Sequence, residues 1–244
     1  MNLIFDAPIN NLSFGNVAVN LLKELYKTKA KICLFPKVDI NLEAFDKTTD
    51  SFKGWVENGS LYKYHNISKE LPSLNLWHIN GSEKRLSPKQ HLLTFYELDS
   101  PTYVEKNLIE MQNTVFLSNP AAIKAFEELG CKNIKYLPLG FDQDFKRLDA
   151  SSKIVEGKTH FILMGKFEKR KHTKEIIEAW SKKYGNNNKY LLSCCVVNPF
   201  IKHDQMNALL SETLGGKHYS NINFLPHLKT NSEVNHLLNS ADID

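Results

Sequence analysis

The stretch Leu163–Trp180, LMGKFEKRKHTKEIIEAW, passes from an apolar run through a glycine into a crowd of cations and then into a helical pattern. Lys166, Lys169, Arg170, Lys171 and Lys174 are opposed only by Glu168. An apolar run, a glycine and an amphipathic segment predict a strand, a loop and a helix, placing this charge at the C-terminal edge of a sheet. Open α/β folds bind their ligands at that edge. Cations oppose the positive end of a helix dipole, so gathering them there fits a bound anion such as a diphosphate that offsets the repulsion. A solvated basic loop is the plainer reading of the same charges.

Strands and helices alternate on both sides of this stretch. Leu3–Phe5 is a short apolar run, followed by FGNVAVNLLKELY with Phe14, Val17, Ala18, Leu21, Leu22 and Leu25 at helical spacing, and Ser13 as its expected cap. KICLFP (Lys31–Pro36), LNLWHI (Leu74–Ile79), HLLTFY (His91–Tyr96), TVFLSN and NIKYLPLG read as strands, and Leu61–Tyr64 as a further short one. A helix after Pro101, capped by Asp99 or Ser100, and one from Pro120 to Leu129 stopped by Gly130, complete the first half. Apolar periodicity then lapses, and 146–158 reads as a linker. Alternation resumes with FILMGK, a helix near 173–184, YLLSCCVVN, a helix near Asp204–Leu214, INFLPHL, and a helix near Ser232–Leu238. Another strand should begin at Ala241–Asp244. Short connectors between alternating elements favour right-handed βαβ units and parallel sheets.

The 244 residues suffice for one large domain or two of about 100–150 residues. A hydrophobic share of 42% supports a real core, and the net charge of +4 is too weak to indicate nucleic acid. Cys33, Cys131, Cys194 and Cys195 lack CxxC spacing and read as buried free thiols in a reducing compartment. Met1 leads directly into LIFDAP without a basic head or long apolar stretch, so a cytoplasmic location is expected.

GKFEKRKHTKEIIEAW resembles the strand–loop–helix that opens the C-terminal domain of the retaining group 1 glycosyltransferases of the GT-B fold. Gly165 matches that family's glycine, Lys166 stands at its arginine, Lys171 matches its lysine, and His172 replaces a following glycine. Asn10-Asn11-Leu12-Ser13-Phe14-Gly15 is placed like the family's loop near the reaction centre. YLPLGFD (Tyr136–Asp142), NFLPHLKTNSEVNHLL (Asn223–Leu238) and Ser240-Ala241-Asp242-Ile243 resemble further family segments, so the likeness runs along essentially the whole chain.

The resemblance implies an α/β fold of two Rossmann-like domains facing a cleft, the second incomplete at the C-terminus. The expected domains are 1–145 on the acceptor side and 159–244 on the donor side. The implied activity moves a sugar from a nucleotide-diphosphate sugar to a glycan or other hydroxyl acceptor, with retention. Lys171, Lys166 and His78 would be catalytic. Gly165, Lys166, Arg170, Lys171, Gly15, Phe14 and Leu225 would hold the donor, and Glu97, Asn11 and Ser13 the acceptor. No metal or cofactor is expected, since the resemblance has lysines carry the counter-charge. Nucleic acid is not an expected partner, and peripheral membrane contact is compatible with the resemblance. The family follows its last matching strand with a helix bearing two glutamates, so weak diphosphate binding, little transfer and self-association are expected of these residues alone. A catalytically silent nucleotide- or glycan-binding module and a nucleotide-sugar epimerase remain alternatives.

Overall fold

The computed structural model describes residues 2–148 and 153–243. The chain forms two compact units, Met1–Asp142 and Gln143–Asp244.

Unit 1 is a six-stranded, all-parallel sheet. Its strands are β1 (Asn2–Ala7), β2 (Lys31–Pro36), β3 (Ser73–Leu76), β4 (Gln90–Thr94), β5 (Thr114–Leu117) and β6 (Ile134–Tyr136), in the order β2-β1-β3-β4-β5-β6. Parallel strands need crossovers, and four helices supply all but the β3-to-β4 one: α1 (Ser13–Lys27), α2 (Asp50–Asn66), α3 (Tyr103–Glu110) and α4 (Pro120–Glu128). Alternation of side chains divides the core between the two sheet faces. Phe5, Leu34, Leu76 and Leu93 pack with Phe14, Leu22, Phe52 and Val56 of α1 and α2. Leu92, Val115 and Leu117 pack with Ile109, Ala122 and Phe126 of α3 and α4.

Three local expectations are corrected. Leu61–Tyr64 is not a strand; it lies inside α2, with Leu61 63% and Tyr64 72% exposed. That helix buries only Phe52, Val56 and Gly59, so it shows little periodicity, and Gly54 and Gly59 disguise it further. Gly59 is needed for close packing, because a Cβ there would meet Ile32 Cγ1 at 3.0 Å. Leu12, not Ser13, caps α1, and its N–H donates to Asn10 Oδ1 at 3.0 Å. Thr102, not Asp99 or Ser100, caps α3 in a reciprocal box with Glu105.

Unit 2 has three parallel strands, β7 (Thr159–Met164), β8 (Tyr190–Cys195) and β9 (Ile222–Phe224), in that order. Its helices are α5 (Thr173–Tyr184), α6 (His203–Thr213) and α7 (Asn231–Ser240). Ile177, Trp180 and Met206 close over Leu192, Cys194 and Ile222. After α7 the chain turns back beside β7, where Ile243 bridges Phe161 in parallel and Ile162 N–H donates to Ile243 O at 2.9 Å. The buried ring of His160 fastens this return. Its Nδ1 lies 3.2 Å from the Ser240 carbonyl and therefore donates, and its Nε2 lies 2.8 Å from Ser193 Oγ.

Within the expected linker 146–158, residues 149–152 lie outside the described residues. The part before them is bonded into unit 2: Lys146 N–H donates to Asn235 Oδ1 and Leu148 N–H to Asn239 Oδ1, both on α7. Asn231 Nδ2 donates to Asp144 Oδ2 at 3.0 Å. All four cysteines are free thiols. Among the described residues no helix is long and apolar enough to cross a membrane.

Candidate functional site

In unit 2 the basic stretch begins where β7 ends. Gly165 N–H donates to Cys195 O at 3.1 Å and Phe167 N–H to Val196 O at 2.9 Å, so the loop stays bonded along the extension of β8. A single 3-10 turn, Lys169–Lys171, follows, and then His172 in the left-handed region (φ 52°, ψ 31°) leads into α5. Gly165 has φ 115°, a conformation that side chains rarely adopt, and a Cβ there would lie 2.7 Å from Lys171 Nζ. The glycine thus gives the Lys171 ammonium room to lie against the end of β7.

The cations of this loop are not equivalent. Lys166 Nζ lies 3.2 Å from Glu168 Oε1 and Arg170 Nε 2.9 Å from Glu168 Oε2. The hydrogen bond from Lys166 holds the Glu168 carboxyl below its ordinary range, with Arg170 adding to the effect. Lys174 is taken by Glu212 of α6 at 2.8 Å. Lys171 has no carboxylate partner among the described residues and is exposed. Lys166 Nζ also sits 5.1 Å from the Phe200 ring centroid, and that ring is 79% exposed. Leu225 follows β9, its N–H bonded to Cys194 O at 2.8 Å. Gly165, Lys166, Lys171 and Leu225 therefore all gather at the C-terminal edge of the second sheet. Phe200 escaped the sequence reading, because an isolated aromatic after Pro199 carries no periodic signal.

In unit 1 a cavity of about 550 Å³ opens at the C-terminal edge of the sheet. Its walls come from the start of α1 (Asn11, Ser13, Asn16), the chain leaving β4 (Phe95, Glu97) and the chain leaving β5 (Ser118, Asn119), with Leu139 alongside. The expected acceptor residues Asn11, Ser13 and Glu97 are thus brought together. Asn16, Ser118 and Asn119 were missed, since single amides and hydroxyls have no sequence signature until strand ends converge. Tyr96 also lines it, buried, and its hydroxyl donates to Glu105 Oε2 at 3.2 Å. Burial, with the Glu105 charge second, pushes that phenol up to about 12, so it stays neutral.

The other expected residues divide. His78 is exposed two residues beyond β3, a central strand, and its ring packs edge-on to Phe14 at 4.7 Å and Trp77 at 5.2 Å. Phe14 is a core residue, 7% exposed and stacked on Phe95 at 4.5 Å. Gly15 is covered: a Cβ there would lie 2.6 Å from Asn10 O and 2.8 Å from Asn10 N. The side of Gly15 where a Cβ would stand is thus closed by protein backbone, and the Phe14 ring is spent on packing.

No family model matches the sequence, and no curated protein matches it. Solved structures do match its fold. Anabaena HepE in complex with UDP-glucose is 15% identical with a TM-score of 0.60, covering 100% of this chain and 73% of that one. Sucrose-phosphate synthase from Thermosynechococcus elongatus is 12% identical with a TM-score of 0.66, covering 99% and 74%. WaaG, a glycosyltransferase involved in lipopolysaccharide biosynthesis, is 12% identical with a TM-score of 0.58, covering 100% and 74%. The likeness establishes the fold: Rossmann-like α/β units of the kind found in GT-B glycosyltransferases.

Proposed function

We propose that the chain is a glycosyltransferase that moves a sugar from a nucleotide-diphosphate donor to a hydroxyl acceptor with retention of configuration. The observation that carries this reading is the pairing of Lys171 with Gly165 at the C-terminal end of β7, ahead of α5, on a fold shared with glycosyltransferases.

Transfer breaks the bond from the sugar C1 to the diphosphate oxygen, and the electron pair leaves with the diphosphate. The acceptor oxygen bonds to C1, and its proton passes to the departing phosphate oxygen. Negative charge therefore grows on the diphosphate, and fixed cations aimed there stabilise the transition state more than the ground state. Lys171 takes this role first, because its ammonium lies against Gly165 at the end of β7 and is not committed to a carboxylate. Lys166 takes it once Glu168 yields, and Arg170 shares the same carboxylate. These cations supply the counter-charge that a divalent ion gives elsewhere. Leu225 lines the donor side, His78 is assigned to the donor sugar on its exposure at a strand end, and Glu97, Asn11 and Ser13 serve the acceptor.

Titration of UDP and GDP into the protein tests this. Lys171→Ala should lose about 1–3 kcal/mol of binding, the range for a hydrogen bond between charged groups. Glu168→Gln should strengthen binding, because it releases Lys166 and Arg170. Equal affinity in wild type and Lys171→Ala removes the assignment.

A further inference from the structure

The unit 1 cavity differs in chemistry from everything around the basic loop. At about 550 Å³ it falls inside the 300–1,000 Å³ range of small-molecule sites. None of its walls is a lysine, arginine or histidine, and its one charged side chain is Glu97. The remaining polar groups are amides and hydroxyls. Asn119 Oδ1 is already spent on Ala121 N–H at 2.9 Å, and Asn16 Oδ1 accepts from Asn20 at 2.9 Å. Both amides therefore keep their NH2 groups as donors, while Ser13, Ser118 and Asn11 can donate or accept. The Glu97 carboxylate only accepts. The aromatic edge of Phe95 and the apolar Val17 and Leu139 offer surface for C–H groups.

Alternating donors and acceptors beside apolar surface suit a molecule that alternates hydroxyls with C–H faces. The starts of α1 and α4 offer an anion partial positive charge, but a phosphate or carboxylate would meet no lysine, arginine or histidine in these walls and would lie against Glu97, and like charges so placed cost affinity. We infer that this cavity takes an uncharged saccharide, and that Glu97 excludes phosphorylated and carboxylated sugars. The inference rests on the transferase reading for the cavity's role as acceptor site, and it narrows the acceptor to the neutral hydroxyl of an uncharged sugar.

Ligand-observed NMR on the 244-residue chain tests it with maltose, cellobiose and lactose against glucose 6-phosphate and glucuronic acid. At least one neutral disaccharide should bind about tenfold more tightly than either anion, the discrimination expected of one misplaced like charge. Asn11→Ala, at an exposed residue, should weaken the neutral ligand several-fold. Glu97→Gln should narrow the gap between neutral and anionic ligands. Equal or better binding of the anions by wild type overturns the inference, and so does the absence of binding by every neutral disaccharide. UDP binding that depends on Lys171, together with preference for sugar phosphates, removes the inference and leaves the transferase reading. Neutral saccharide binding without UDP binding does the reverse.

Discussion

Gly15 follows the first strand of unit 1 and Gly165 the first strand of unit 2, and each excludes a side chain for a different reason. At Gly15 the obstacle is the backbone of Asn10, which folds over the start of α1. At Gly165 it is the tip of one flexible lysine together with a backbone at φ 115°. Their surroundings differ in charge as well. Near Gly15 the cavity carries amides, hydroxyls and a single carboxylate; near Gly165 lie four cations from Lys166 to Lys171. Carboxylates respond accordingly. Asp6, buried near the end of β1, is pushed up by burial even though Lys37 pulls the other way from 2.8 Å, while half-buried Glu168 is pulled down by Lys166. Two units built on the same strand-and-helix plan thus offer a polar hollow with one carboxylate and a cationic rim. The backbone plan alone does not dictate a ligand; side chains at the strand ends do.

Gly15→Ala should have the largest effect. Its Cβ would collide with backbone that cannot step aside, so about 3 kcal/mol of stability should be lost, at the upper end for overpacking. Urea unfolding measures this, and a loss no greater than that of Gly54→Ala, where nothing lies within 4 Å, breaks the contrast.

Gly165→Ala comes next, at about 2 kcal/mol from backbone strain. It should also weaken UDP binding, because Lys171 must move. Unchanged stability with unchanged UDP affinity would show that the two glycines do not differ as described.

Lys37→Ala sharpens the charge comparison. It strips the partner from a carboxylate that is 11% exposed, and about 2 kcal/mol should be lost at neutral pH. Asp6 has a raised value in the folded state, so the fold favours its protonated form. The loss should therefore shrink as pH falls through the Asp6 titration, when no charge is left unpaired. A loss independent of pH would place the effect in packing instead.

The smallest change is a gain. His172 holds a left-handed conformation that costs a residue with a Cβ roughly 1 kcal/mol, so His172→Gly should gain that much unfolding free energy and raise the urea midpoint. A fall in the midpoint would mean that the imidazole contributes contacts exceeding the strain.

Apolar periodicity was enough to read the parallel α/β architecture of both units, because strands such as Leu92–Leu93 and Val115–Leu117 must bury side chains on two faces and helices such as α5 on one. The basic loop could be located for the same local reason, since charge density needs no fold to be seen, while Gly165 and Lys171 were singled out within it by the family resemblance. Alpha-helix α2 was not legible, since only three of its residues are buried and two glycines interrupt its face. Tertiary structure alone decided which cations are committed to a carboxylate. Glu168 could have paired with any neighbour, and the turn at 169–171 aims Lys166 and Arg170 at it while Lys171 folds over Gly165. It also decided the cavity of unit 1. Asn11, Phe95 and Ser118 are separated by most of the unit's sequence and share no pattern. They meet only because parallel strands bring all their C-terminal ends to one edge.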